Sequence, residues 1–100
     1  MEIRKLFIDG EWVDSQSDAY IEIENPATHE IIAKVPRGNE KDVDRAVEAA
    51  RKAFETWQYT PLETRLDLMG KVVEGLKSRR QELIETITKE LGSPYKVSAE

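Results

Sequence analysis

Ile31-Ile32-Ala33-Lys34-Val35-Pro36-Arg37-Gly38-Asn39-Glu40-Lys41-Asp42-Val43 is where this chain changes period. Ile31 to Val35 is a short β-prone run that stops at Pro36, which cannot donate to a strand ladder. Asn39 then caps a helix with Asp42 at its N3 position. From Val43 the apolar residues fall at spacings of three and four: Ala46, Val47, Ala50, Ala53, Phe54 and Trp57. That spacing draws one apolar stripe along a helix. The chain therefore reads as strands before residue 36 and helices after residue 39.

Upstream, Tyr20-Ile21-Glu22-Ile23-Glu24 alternates, with Ile21 and Ile23 on one face and the glutamates on the other, as a half-buried strand does. Asn25-Pro26-Ala27-Thr28-His29-Glu30 is a turn: proline presets φ, and asparagine bonds its own backbone. Further back, Leu6-Phe7-Ile8 and Glu11-Trp12-Val13 flank Asp9-Gly10, a strong hairpin signal because glycine accepts positive φ. Asp14 to Asp18 is a polar loop.

Downstream, Thr60-Pro61-Leu62-Glu63 predicts a helix start, with Thr60 as cap, Pro61 at the first helical position and Glu63 reaching back. Its stripe is Leu62, Leu66, Met69, Val72, Val73 and Leu76. Ser78 to Gln81 repeats the capping pattern, so the helix is expected to break and restart there. Leu83, Ile84, Ile87 and Leu91 are expected to face inward, and Gly92 supplies a left-handed stop. Gly70 and Gly75 lie within a predicted helix, where close packing against another element is the ordinary reason for glycine. Ser93-Pro94 opens a last helix over 93–100. A helix that loses its chain after about two turns cannot form well alone, so the segment is expected to be part of a longer protein. The predicted units are strands over 1–36, helices over 39–58, 60–77 and 78–91, and the start of a helix over 93–100.

Bulk composition limits the function classes. The 100 residues make one small domain at most, with 39% hydrophobic and 35% charged residues and a net charge of −5. Phosphate binding needs clustered Lys and Arg, and a net acidic chain lacks that footprint. The densest basic group, Lys77, Arg79 and Arg80, reads as a solvated helix junction. There is no cysteine, hence no disulfide framework, no thiolate metal site and no cysteine nucleophile within these residues. No signal peptide and no apolar run of membrane length are present, so a cytoplasmic setting is expected, with no nucleic acid and no membrane as partner.

Catalytic signatures fail in turn. The one histidine, His29, sits in a predicted turn without a cysteine or serine partner, and reads as a surface turn residue. The five glycines are scattered and form neither G-x-G-x-x-G nor a P-loop. Most acidic residues lie on outward helix faces near Lys or Arg, as Glu48 does with Lys52. Such pairs contribute a few tenths of a kcal/mol. The residues alone give an α+β piece without a visible active site.

Three stretches, in order, resemble the N-terminus of the aldehyde dehydrogenase superfamily. They are the hairpin Leu6–Val13, the strand–turn–strand Ile23–Ala33 with its Asn25-Pro26-Ala27-Thr28, and the helical part. The last runs from Asp42-Val43-Asp44-Arg45-Ala46-Val47 through Glu63-Thr64-Arg65 to Lys89-Glu90-Leu91-Gly92-Ser93-Pro94. His29 stands where the family turn usually has glycine, a backbone conformation that histidine reaches at modest cost. Ser93 replaces a frequent Lys or Ala.

The resemblance implies an α+β fragment: a β-hairpin and strands, then three to four amphipathic helices, belonging to an α/β cofactor-binding domain. It implies a parent enzyme that oxidises aldehydes to acids with NAD or NADP, through a thiohemiacetal on a cysteine and a glutamate that activates water. Those residues lie beyond the segment, so no catalytic or nucleotide-binding residue is assigned within it and no cofactor is expected on it. One minor site carries over: the backbone of Ile23 and Glu24 and the side chain of Glu90, as ligands of a monovalent cation, a hard ion that suits oxygen donors. The expected partners are the remainder of such a chain and further copies in a homo-oligomer. The alternatives are a stand-alone, non-catalytic helical interaction module derived from this segment, and an unrelated small enzyme with dispersed carboxylates. Apolar stripes left uncovered would favour self-association or domain swapping.

Overall fold

The computed structural model describes residues 2–100, with side chains from Arg4 onward. Strands β1 (Glu2–Ile3), β2 (Leu6–Ile8), β3 (Glu11–Val13), β4 (Tyr20–Glu24) and β5 (Ile31–Pro36) precede helices α1 (Glu40–Trp57), α2 (Leu62–Ser78), α3 (Arg80–Leu91) and α4 (Tyr95–Ser98). This is the expected α+β order. No helix among the described residues is long and apolar enough to cross a membrane.

β2 and β3 form an antiparallel hairpin, with Asp9 at φ 55° and Gly10 at φ 75°. Two consecutive positive φ values define a type I′ turn, whose twist matches that of the strands it joins. β4 and β5 pair antiparallel, and β1 adds to β5 in parallel, giving the order β1-β5-β4. The β4–β5 register runs Ile21 to Val35, Glu22 to Lys34 and Ile23 to Ala33, then skips so that Glu24 faces Ile31. Ile32 is thus the extra residue of a bulge. Ile23 is half-buried as its alternation predicts, but Ile21 remains 48% exposed.

α1 turns its alanine side toward the hairpin. Ala46, Ala49, Ala50 and Ala53 line a shallow crevice with Phe7 and Ile8, and Ile8 is one of two buried hydrophobic residues among those described. Small side chains let the strand approach the helix closely. The bulkier part of the predicted stripe, Val43, Val47 and Phe54, lies open beside it.

The stronger hold on α1 is polar. The Asn39 side chain accepts from the Asp42 amide at 3.1 Å, and the Asp42 carboxylate accepts from the Asn39 amide at 3.0 Å, which completes the capping box. The same carboxylate also accepts from the Ser15 hydroxyl at 2.5 Å and the Gln16 amide at 2.9 Å. Asp42 is only 4% exposed. A buried carboxylate needs this many donors, and with them it fixes the loop after β3 to the first turn of α1.

Several local expectations give way. Pro61, at ψ 149°, takes the cap position of α2 itself, and no side chain caps that helix. Proline has no side-chain oxygen to offer the helix amides, so only its carbonyl takes part, accepting from the Arg65 amide at 3.2 Å, and Thr60 does not serve as the cap. The break between α2 and α3 falls at Arg79, not at a capping serine; the Ser78 hydroxyl bonds back to the Gly75 carbonyl at 2.8 Å. On α3 only Ile84 is buried, while Leu83, Ile87 and Leu91 are 41%, 43% and 68% exposed. A Cβ at Gly70 or Gly75 would meet nothing within 4 Å, so no close-packed neighbour within this chain accounts for either glycine.

The molecule is thin. Its extents are 48 × 35 × 15 Å and its radius of gyration is 17.2 Å, against about 13 Å for a compact chain of this length. α2 has no buried residue. The folded surface of 8379 Å² exceeds by roughly 2,500 Å² what a compact monomer of 11.5 kDa exposes.

Hydrogen bonds from Ser15, Gln16 and Asn39, in that order of weight, lower the Asp42 pKa below its ordinary 3.8. A carboxylate more acidic when folded stabilises above its unfolded value and loses that contribution as pH falls through the lower, folded one. The Gln16 amide should therefore be protected from hydrogen exchange at neutral pH and lose protection only in acid below 3.8. In Asp42→Asn the protection should be weak at every pH; an unchanged profile would detach this carboxylate from the loop.

Candidate functional site

The turn after β4, the end of α3 and the start of β5 meet at one corner. The turn is internally bonded: His29 N–H donates to the Asn25 carbonyl at 2.7 Å, Asn25 N–H to the Glu30 carbonyl at 2.8 Å, and Ala27 N–H to Asn25 Oδ1 at 2.9 Å. His29 has φ 63°, the left-handed region, and its Nδ1 lies 3.0 Å from Glu24 Oε1. It is an exposed turn residue, as its sequence context predicts.

Gly92 ends α3 at φ 71° and bonds the Thr88 carbonyl at 3.0 Å. It is also pressed against the turn: a Cβ there would lie 2.8 Å from Pro26 Cγ and 3.4 Å from the Ala27 amide nitrogen. Both the torsion and the space demand glycine. After it, Ser93 and Ser98 share a hydrogen bond at 2.7 Å, Tyr95 donates to Gln81 Oε1 at 3.1 Å, and Arg80 donates to the Ala99 carbonyl at 2.5 Å. These bonds fold α4 back along α3.

The residues named as cation ligands flank this corner. Ile23 and Glu24 are in β4, opposite Ala33 and Ile31 of β5. Glu90, on the last turn of α3, lines a groove with Arg4, Glu30, Ile31, Ala33 and Lys89. The groove thus brings Glu90 to the β5 residues that pair with Ile23 and Glu24. The Glu24 carboxylate itself is directed to His29. No cluster of three or more His, Cys, Asp or Glu side chains able to hold a metal occurs among the described residues.

A phosphate cradle would need free amides at a helix N-terminus. At α1 that place is occupied by the buried Asp42 carboxylate and the Asn39 side chain, and a second anion there would meet like charge. The one group whose role sequence reading underestimates is Asp42. Its capping position was legible, but its bonds to Ser15 and Gln16 cross 27 and 26 residues and leave no short-range pattern.

With the geometry in view, comparison with known proteins is specific. The model of the aldehyde dehydrogenase family matches residues 12–100. A candidate aldehyde dehydrogenase of Staphylococcus haemolyticus is 47% identical over 92 residues, which are 92% of this chain and 19% of that protein. The crystal structure of an aldehyde dehydrogenase from Bartonella henselae superposes with a TM-score of 0.97 at 33% identity, covering 99% of this chain and 21% of that one. A mutant of aldehyde dehydrogenase C from Pseudomonas syringae, solved with NAD+ and octanal, gives 0.93 at 40% identity over 96% of this chain and 20% of its own. The chain spans about a fifth of the length of the curated relatives it matches.

The two left-handed residues at the corner should respond to substitution in opposite senses. Gly92→Ala should destabilise by about 1–2 kcal/mol or more, since alanine is strained at that torsion and its Cβ collides with Pro26. His29→Gly should be neutral or stabilising by up to about 1 kcal/mol, because the exposed contact with Glu24 contributes little. Denaturation midpoints of the two variants test this; a stable Gly92→Ala protein would mean that the corner relaxes freely.

Proposed function

The chain belongs to the aldehyde dehydrogenase family, and from that premise we propose that it is the N-terminal segment of an enzyme that oxidises an aldehyde to a carboxylic acid with NAD or NADP. The observation that carries the proposal is the superposition of nearly the whole chain on one end-to-end part of a known dehydrogenase, at a TM-score of 0.97. The presence of NAD+ and octanal in the Pseudomonas relative supports the choice of reaction class.

Within that reading the segment is scaffold. Attack on an aldehyde carbon through a thiohemiacetal needs a thiolate, and these residues contain no cysteine. The α1 N-terminus offers a nucleotide phosphate no free place, since the Asp42 carboxylate and the Asn39 side chain fill it. Nucleophile, base and nucleotide site would belong to sequence that the relatives carry outside the matched fifth. A cytoplasmic location and homo-oligomeric assembly are part of the proposal and rest on the family alone.

The proposal also includes a monovalent cation held by the backbone oxygens of Ile23 and Glu24 with the Glu90 carboxylate. Its support is the approach of Glu90 to Ile31 and Ala33, the register partners of those two residues. Replacing sodium or potassium by choline at constant ionic strength should lower the melting temperature of the protein and leave Glu90→Gln unaffected. Equal melting temperatures in all three salts would remove the site.

For the activity, a polypeptide continuing from this segment to the relatives' length should reduce NAD or NADP when given aliphatic or aromatic aldehydes, followed by the absorbance of the reduced nicotinamide. The 100-residue chain alone should give no signal. Turnover by the short chain, or silence from the long one across such a panel, would sink the reading.

A further inference from the structure

We propose that Asp9-Gly10 is a site of self-modification, at which the Gly10 amide nitrogen closes on the Asp9 carboxyl and the tip of the β2–β3 hairpin becomes isoaspartyl. The reaction is intramolecular and needs no partner molecule beyond water. In its first step the Gly10 nitrogen bonds to Asp9 Cγ, forming a five-membered succinimide ring, and the carboxyl hydroxyl leaves as water with the amide proton. In its second step water adds to one of the two ring carbonyls and breaks that carbonyl's bond to nitrogen. Opening at the former backbone carbonyl leaves the chain running through Cβ and Cγ, with the α-carboxyl as a short side group. Opening at the other restores aspartate. Nothing is oxidised or reduced.

Two features single out this position among the aspartates and asparagines. The ladder closes at Ile8 opposite Glu11, and the peptide unit between Asp9 and Gly10 makes no hydrogen bond among the described residues. A glycine also follows, and nothing lies within 4 Å of a Cβ built on it, so the nitrogen can be approached without a steric bar. Each other candidate is held. Asp14 is paired with Lys5 at 3.3 Å, and the amide after Asp18 donates to Ser17 Oγ at 3.1 Å. Asp42, Asp44 and Asp67 lie in helices, where the ladder engages the following amide. Asn25 precedes a proline, which has no N–H. Asn39 Oδ1 accepts from the Asp42 amide at 3.1 Å.

The turn also supplies the route to the reacting geometry. In the type I′ form a ψ of about 30° at Asp9 sets the Gly10 nitrogen on the side away from Cβ. Rotation of the unbonded peptide unit converts I′ to II′, the other favoured two-residue hairpin turn, and breaks no ladder bond. Asp9 then has φ about 60° and ψ about −120°. At that ψ an L-residue's Cβ eclipses the next nitrogen along the Cα–C bond, the planar arrangement that the ring requires. Gly10 takes either sign of φ readily. Glycine is the usual first residue of a II′ turn, so with Asp9 there it is the minor form, and ring closure drains it slowly. The product has an extra methylene in the loop, and a two-residue turn no longer fits between Ile8 and Glu11. The Phe7–Trp12 ring pair, 5.0 Å between centroids, and the seat of Ile8 beside the α1 alanines then lose their fixed end.

The test is peptide mapping by mass spectrometry after incubation at neutral pH and physiological temperature, on this chain and on a polypeptide of the relatives' length. In both, the peptide bearing Asp9 should split into two products of equal mass, through a species lighter by one water. A protease that cuts before aspartate should cleave only one of the two. Asp9→Glu, whose ring would need a sixth member, should lose the reaction and keep a single form. Asp9→Asn retains a favoured I′ pair and should reach the same two products several-fold faster, releasing ammonia in place of water. In the converted fraction the β2–β3 amides should lose protection from hydrogen exchange, while the Gln16 amide, held by Asp42, should keep it. A folded chain that holds a single form while the urea-unfolded chain converts would overturn the proposal, since the turn would then block the rotation. So would a long polypeptide that resists conversion, ageing of Asp9→Glu at the wild-type rate, or an isoaspartyl hairpin with its protection intact. None of these results bears on the dehydrogenase reading.

Discussion

The Asp42 carboxylate accepts hydrogen bonds from Ser15, Gln16 and Asn39, and the relation of the strands to α1 depends on those bonds. Apolar packing between the two parts is slight: among their described residues Ile8, beside a row of alanines, is the only buried hydrophobic one. In most small domains a hydrophobic core sets such an angle and polar groups follow. Here a satisfied, nearly inaccessible carboxylate does the positioning. Its low exposure raises the cost of losing any one donor, since the charge has few other sources of solvation.

The rest of the chain shows local structure without matching burial. Helices form where apolar spacing and propensity direct them, with a side-chain cap at α1 alone, and the strands pair in a register with one bulge. Yet just two hydrophobic residues are buried among those described. Secondary structure is specified by neighbours in sequence, whereas cover for an apolar face comes from another layer. A segment of a larger family fold keeps the first kind of instruction and lacks the second. The membership of the family and the one-fifth coverage of its relatives are consistent with that division.

This division also explains what could be read from residues alone. Asp9-Gly10, the Asn39–Asp42 box and Gly92 each act through backbone within four positions, and each appears in the structure with the expected torsion or bond. The motifs around Asn25-Pro26 and Glu90-Leu91-Gly92 were legible separately, but their contact through Pro26 and Gly92 joins residues far apart in sequence. The inward facing of Ile87 and Leu91 was inferred from period, which reports a stripe and not whether anything covers it. β1, two residues long, carries no period at all. Ser15 and Gln16 looked like ordinary loop residues because the partner that gives them meaning lies in a helix.

α2 is tied into the chain through Thr60-Pro61 at one end and the Arg79 junction at the other, and none of its side chains is buried. Its opening therefore disturbs neither the sheet nor the Asp42 bonds. In a single uncovered copy it behaves as its own cooperative unit, with a free energy of opening well below that of the strands. Whatever comes to cover it will set its melting order as well as its shape, so the lifetime of this helix is a gauge of assembly and not of the segment's intrinsic fold.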